Sequence, residues 1–187
     1  DLYSAGFGMV SALNSNIITN SDFFVSTFNS SYNNALSGVF DVRMRAGNNS
    51  RFENTVQVGS VGVEWTSEGP ISRKNNSSFI FNYRYGMSTI ARKLKLIDTY
   101  GSQYDFQDLS LKLNFPTKKA GTFSVFALGF IDKSWDVELD IEDIHSIYDA
   151  SDQAGRLYNA VVGASHKIHF DNKWTWRTTA AYNMQHN

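Results

Sequence analysis

The chain has 187 residues, enough for one domain with an adequate core, so size alone demands neither a membrane nor a partner. Seventeen basic residues against 18 acidic ones leave a formal charge of −1, which argues against nucleic-acid binding because that needs a clustered basic excess. With no Cys, disulfide staples and thiolate chemistry are excluded, and no run of about 18 apolar residues is present to form a transmembrane helix. A mean hydropathy of −0.33 leaves a membrane β-barrel open, since half of every barrel strand is polar.

Residues 1–49 are rich in Asn, Ser and Gly, with short apolar patches such as Asp22-Phe23-Phe24-Val25 and Val39-Phe40-Asp41-Val42 between turn-formers. This pattern predicts a small, irregular α+β portion. From residue 50 to 187 the chain alternates strands with turns, and strands are expected at 52–59, 61–69, 77–87, 105–115, 121–139, 156–170 and 174–186. The fold class expected from this alternation is all-β and mainly antiparallel, preceded by the small α+β segment; the resemblance described below makes it a partial transmembrane β-barrel.

The third strand is the clearest: Phe79, Phe81, Tyr83 and Tyr85 share one side, and Ile80, Asn82, Arg84 and Gly86 the other. The fourth sets Leu109, Leu111, Leu113 and Phe115 against Asp108, Ser110, Lys112 and Asn114. The fifth is blurred, with Phe123, Val125, Ala127 and Ile131 on one side and Phe126, Leu128 and Phe130 on the other. The last sets Trp174, Trp176, Ala180, Tyr182 and Met184 against Thr175, Arg177, Thr179, Asn183 and Gln185. Connections at 72–76, 116–120 and 171–173 are short and those at 88–104 and 140–155 long, the asymmetry of an outer-membrane barrel; the tight Gly59-Ser60 link is the exception. Trp65, Trp135, Trp174 and Trp176 fall near strand ends, where interfacial aromatic girdles belong. The same periodicity also suits an antiparallel sandwich with an aromatic core.

Candidate functional residues are few. Asn82, Arg84, Lys112 and Arg177 lie on the polar sides of their strands and are candidates for lining a ligand path or for bonding to an internal domain, the latter favoured because buried charges need partners. Alternating carboxylates at Asp136, Glu138 and Asp140 share a side of an extended segment and are the candidate loop cation site, although a run of charge more commonly stays solvated. His166 and His169 are three apart and point to opposite sides of a strand, which opposes joint chelation. Ile90, Leu94 and Ile97 recur at helical spacing beside Arg92, Lys93 and Lys95, predicting a short amphipathic helix at the rim. No nucleophile elbow, phosphate loop, dinucleotide fingerprint or HExxH motif is present; neither an enzyme activity nor a cofactor is expected.

Two segments carry a family resemblance. Residues 22–47, DFFVSTFNSSYNNALSGVFDVRMRAG, resemble the end of the plug domain of TonB-dependent outer-membrane receptors, in which a strand leads through a Tyr-Gly turn to a Gly-Gly-Val-Ile-Asn-Ile-like strand. Tyr32, Gly38, Val39 and Asp41 stand in comparable places, whereas Asn33 and Ser37 depart from the family's glycines. Residues 55–71, TVQVGSVGVEWTSEGPI, resemble the family's first barrel hairpin; SSFIFNYRYG at 77–86 and FQDLSLKLNFPTKKAGTFSVF at 106–126 are similar to receptors of Bacteroidetes-type bacteria.

The resemblance implies a fragment comprising the end of the plug and the opening arc of a barrel of about 22 strands. It also implies location in the outer membrane of a Gram-negative bacterium and energy-coupled import of an unidentified glycan, peptide, siderophore or similar nutrient. The partners it implies are TonB, outer-membrane lipid and lipopolysaccharide, the remaining barrel of the full-length chain and, in some members, a surface lipoprotein lid. The alternatives are a soluble, secreted β-sandwich carbohydrate-binding module and a structural or adhesive outer-membrane barrel.

Overall fold

A computed structural model describes residues 14–25, 38–59, 62–87, 91, 93–95, 102–136, 154–170 and 173–186. The fold is all-β and antiparallel, with a two-stranded and a seven-stranded sheet. The described residues fall into two compact units, one ending at Arg45 and one beginning at Ala46.

In the first unit β1 (Asp22–Val25) pairs with β2 (Gly38–Asp41) from Asp22↔Asp41 to Val25↔Gly38. The pairing is prolonged by an Ile18↔Met44 bridge and by backbone bonds from Thr19 N to Arg43 O and from Arg45 N to Ile17 O, both 2.8 Å. Arg43 contacts Asp41 at 2.6 Å and Asp22 at 3.6 Å, exposed ion pairs that contribute at most about 1 kcal/mol. The helical component expected in residues 1–49 is not found among the described residues, whose Asn and Ser side chains compete with helix by bonding to nearby backbone; Asn14 Oδ1, for example, accepts from Asn16 N at 2.7 Å. The departures from the family pattern at Asn33 and Ser37 lie outside the described residues.

The second unit is a meander of β3 (Glu53–Gly59), β4 (Gly62–Ser72), β5 (Ser77–Met87), β6 (Ser102–Pro116), β7 (Thr122–Asp136), β8 (Ala154–Phe170) and β9 (Trp174–His186), each paired with the next. The seven expected strands are all present, with shifted ends. β4 continues through Gly69-Pro70 to Ser72, because a register shift between Pro70 and Ser72 accommodates a residue that cannot donate to the ladder. Gly121 belongs to the turn before β7, at φ +79°, and residues 137–139 lie outside the described residues. Of the helix expected near 88–100, Ala91 and Lys93 are helical and Leu94 is exposed, the other positions lying outside the described residues.

The short connections at 73–76, 117–121 and 171–173 occupy one rim, and the two-residue link 60–61 between β3 and β4 is the exception on the other. Between β4 and β5, Asn76 takes φ +53°, a left-handed conformation that Asn tolerates. Between β6 and β7 the Thr117 hydroxyl donates to Gly121 O at 2.7 Å and accepts from Ala120 N at 3.0 Å. The long connections after β5 and β7 fall on the other rim, so the alternation expected from loop length holds.

Register decides what shares a side. The row Trp65, Tyr83, Leu109 and Gly129 is continuous across β4 to β7, and so are Ser67, Phe81, Leu111 and Ala127. Val162 and Tyr182 extend the second row across β8 and β9. This side is apolar and open: Val56 is 66%, Trp174 74% and Tyr182 68% exposed. The opposite side carries the buried residues Thr66, Glu68, Asn82, Asp108, Ser110, Asp132 and Asn159. Phe126, Leu128 and Phe130, whose strand was blurred in the sequence, form an apolar island on that polar side; the Phe126 ring packs over Gly163, where a Cβ would collide with it.

Gly163→Val is therefore expected to destabilise the sheet by about 1–3 kcal/mol in a urea titration followed by tryptophan fluorescence. Gly59→Ala, where a Cβ meets nothing within 4 Å, should stay within about 0.5 kcal/mol.

Candidate functional site

The polar side is organised around β4, β5 and β6, where direct cross-strand neighbours place Glu64 beside Arg84 and Arg84 beside Asp108, with Thr66, Asn82 and Ser110 one row away. Asn82, fully buried, donates its amide to Thr66 Oγ1 at 2.7 Å and to Glu64 Oε1 at 3.0 Å. Arg84 binds Asp108 Oδ2 through Nε at 2.8 Å and Nη2 at 2.7 Å, with the two side chains 17% and 4% exposed. A carboxylate this enclosed needs its guanidinium partner, because burial otherwise penalises the charge heavily.

The Arg84 guanidinium also lies 5.2 Å from the centre of the Phe106 ring, a cation–π distance. That ring packs over Gly86, where any Cβ would strike it. Glycine here creates the seat for the aromatic ring. Together Gln57, Gly59, Gly62, Glu64, Arg84 and Phe106 line a concavity of about 510 Å³ toward the long-loop rim. Its chemistry combines a carboxylate, a guanidinium, an amide and an aromatic face, a set suited to a polar organic ligand.

The short-turn end is closed differently. Asn48 N donates to Glu68 Oε2 at 2.7 Å and the Asn48 amide to Glu53 Oε2 at 2.9 Å, while Arg51 reaches Glu53 Oε1 at 2.6 Å. Gly47 lies against the Phe79–Ile80 backbone so closely that no other residue fits, which ties the entry segment to the sheet.

Asn82 and Arg84 are thus both placed beside Glu64, which accepts from Asn82 and lies opposite Arg84 in register. Lys112 is on the same side, in register with Ile80 and Phe126, and Arg177 is on β9 in register with Lys167, three strands from Lys112. Of the candidate cation site, only the Asp136 backbone, at the end of β7, is described; Glu138 and Asp140 lie outside the described residues. His166 Nε2 bonds to Ala120 O at 2.6 Å and its ring stacks on Phe123 at 4.3 Å, whereas His169 Nδ1 bonds to Thr175 Oγ1 at 2.8 Å on the other side. Among the described residues no group of three or more metal-ligating side chains converges.

Sequence reasoning singled out neither Glu64, Asp108 and Phe106 as partners of Arg84 nor Asn159. Asn159 is 3% exposed, lies next to Phe130 in register, and has no hydrogen-bond partner for either amide atom among the described residues. Buried polar groups of that kind are rare and single out a position. The only sequence signal for them is their parity, which every polar strand residue shares. Comparison with protein-family models, curated proteins and solved structures finds no match to this chain.

Asp108→Ala should cost about 3–5 kcal/mol by stranding the Arg84 charge, and the Arg84→Met/Asp108→Leu pair should cost clearly less than the sum of the single changes. A urea double-mutant cycle at pH 7 measures this, and a coupling near zero would mean that the pair is energetically idle.

Proposed function

We propose that this chain is part of an outer-membrane β-barrel of the TonB-dependent importer type, with residues up to about 49 from the end of the plug and the remainder from the barrel wall. The observation that carries the reading is the inverted distribution of polarity. Among the described residues four hydrophobic side chains are buried, against 11 polar or charged ones, while 18 large hydrophobic side chains are exposed. A water-soluble domain keeps exposed apolar patches to a few hundred Å². A strand in lipid faces hydrocarbon on one side and lumen on the other, which produces this inversion.

The dimensions agree. From Phe123 to Lys133 β7 rises about 33 Å along the strand, or about 25 Å along the membrane normal at the usual tilt, the height of a barrel's apolar band. Phe170, Trp174 and Trp176 border the band at the short-turn rim and Trp135 at the long-loop rim. Within the sheet β3 and β9 are edges, and because an unpaired edge is untenable in hydrocarbon, further strands beside both are required in this reading. The strand pair β1–β2 supports the plug assignment, because the family pattern there is strand, turn, strand.

In this reading the Arg84–Phe106 concavity belongs to the lumen and contributes to the path of an unidentified nutrient, TonB supplies the coupling, and lipopolysaccharide and a possible surface lipoprotein lid are the outer partners. A sandwich module needs a second sheet of comparable size, and the described residues offer only a two-stranded one.

Leu111, in mid-β6 on the apolar side, discriminates the settings. Leu111→Arg is expected to cost about 2–4 kcal/mol when folding is titrated with urea in lipid vesicles. A change within about 0.5 kcal/mol would place that side in water and sink the membrane reading. Deleting the gene should reduce growth on one nutrient class as much as loss of TonB does; a deletion phenotype independent of TonB would argue for an adhesive or structural barrel instead.

A further inference from the structure

On the apolar side, one step beyond Ile131 and Tyr158 toward the long-loop rim, Lys133 and Arg156 are directly opposed across β7 and β8. Like charges so placed repel. Asp105 faces Lys133 from β6, so the row Asp105, Lys133, Arg156 holds one positive charge in excess. Both cations are exposed, and among the described residues neither makes an ion pair or side-chain hydrogen bond.

Two rows below them, past Ile131 and Tyr158, the sheet is dented. Gly129 presents no side chain, and a Cβ there would meet only the Asn159 carbonyl oxygen at 4.0 Å. The resulting groove, about 530 Å³, is walled by Tyr83, Leu109, Ile131, Tyr158 and Met184. At its upper edge the Tyr83 hydroxyl donates to Gln107 Oε1 at 3.0 Å, so the polar character begins where the apolar wall ends.

An apolar slot under an exposed cation pair is complementary to an amphiphile with an acyl chain and an anionic head. We propose that this site holds a phosphate-bearing lipid of the surrounding leaflet, its acyl chain in the Gly129 groove and its phosphate between Lys133 and Arg156. The inference rests on the membrane reading above, in which the height of Lys133, about 25 Å above the aromatic rim at Phe123, brings both cations to the headgroup layer. Phosphate suits the pair because guanidinium binds two of its oxygens at once and the ammonium adds a point charge. A free phosphate would leave the groove unused. The bound anion also removes the Lys133–Arg156 repulsion, so that lipid binding and sheet pairing support each other.

The test uses the full-length protein in detergent and then in lipid nanodiscs, with lipid retention read by native mass spectrometry. The probes are bis-phosphorylated lipid A, the same lipid with both phosphates removed, and phosphatidylethanolamine. Retention of phosphorylated lipid A over both the dephosphorylated lipid and zwitterionic phosphatidylethanolamine is expected, because only the first has a net anionic head, with affinity reduced about tenfold or more in K133Q/R156Q. Gly129→Leu, which fills the groove without a backbone clash, should lower retention comparably.

Equal retention of the dephosphorylated lipid, or undiminished binding in both variants, overturns the proposal. Circular dichroism confirms that each variant is folded, and if Gly129→Leu does not fold, the exposed K133Q/R156Q pair decides by itself. A protein that stays monodisperse without detergent defeats the membrane reading as a whole. Detergent dependence without phosphate selectivity defeats only this site.

Discussion

Strand alternation, held in phase by an unbroken register from β3 to β9, is the constraint on which the rest of the second unit depends. Because each strand pairs with the next in antiparallel register, a residue's parity assigns it to one of two sides for the full width of the sheet. A slip of one residue in any pair would transfer Phe81 or Leu111 to the polar side and Asn82 or Ser110 to the apolar one. The irregularity at Pro70–Ser72 occurs at the end of β4, past Glu68, the last residue that β4 pairs with β3, where it disturbs least.

Packing on the two sides follows different physics. On the apolar side, Phe81 meets Trp65 edge-on at 5.5 Å and Phe52 approaches Phe79 at 6.1 Å, contacts that organise the surface without enclosing it. On the polar side, stability depends on satisfying buried charge and amide groups: Asn82 has two acceptors, Arg84 a carboxylate and an aromatic face, Glu68 a backbone donor. Such networks are costly when half satisfied and rigid when complete, and here Asp108 Oδ1 and both amide atoms of Asn159 stay unbonded among the described residues. The glycines at Gly86 and Gly163 are the counterpart, each clearing space for a phenylalanine ring on the predominantly polar side.

The same two-sidedness relates the Arg84–Phe106 concavity to the Gly129 groove. Arg84 and Phe106 line the first and Lys133, Arg156 and Gly129 border the second, and both lie toward the long-loop rim on opposite sides of one sheet. On the proposed reading, ligand chemistry and lipid chemistry meet at that rim, separated by the thickness of the wall.

The residues alone determined the seven strands from residue 52 onward, the two-sidedness of all but the blurred fifth, and the short-long alternation of connections apart from the Gly59-Ser60 link, because a period of two and the punctuation by Pro, Gly and Asn are local properties of the chain. They also placed Asn82, Arg84, Lys112 and Arg177 on one side, and separated His166 from His169. Tertiary structure decided which of those residues meet. That Arg84 finds Asp108 and Phe106, that Lys133 opposes Arg156, and that Gly129 opens a groove all depend on the registers between strands, which arise from pairing over distance and leave no trace in the periodicity of a single strand. Exposure belongs to the same class: aromatic alternation is equally compatible with a dry core and with an open face, and only the assembled sheet showed large apolar side chains left open and, within β4 to β8, polar ones buried.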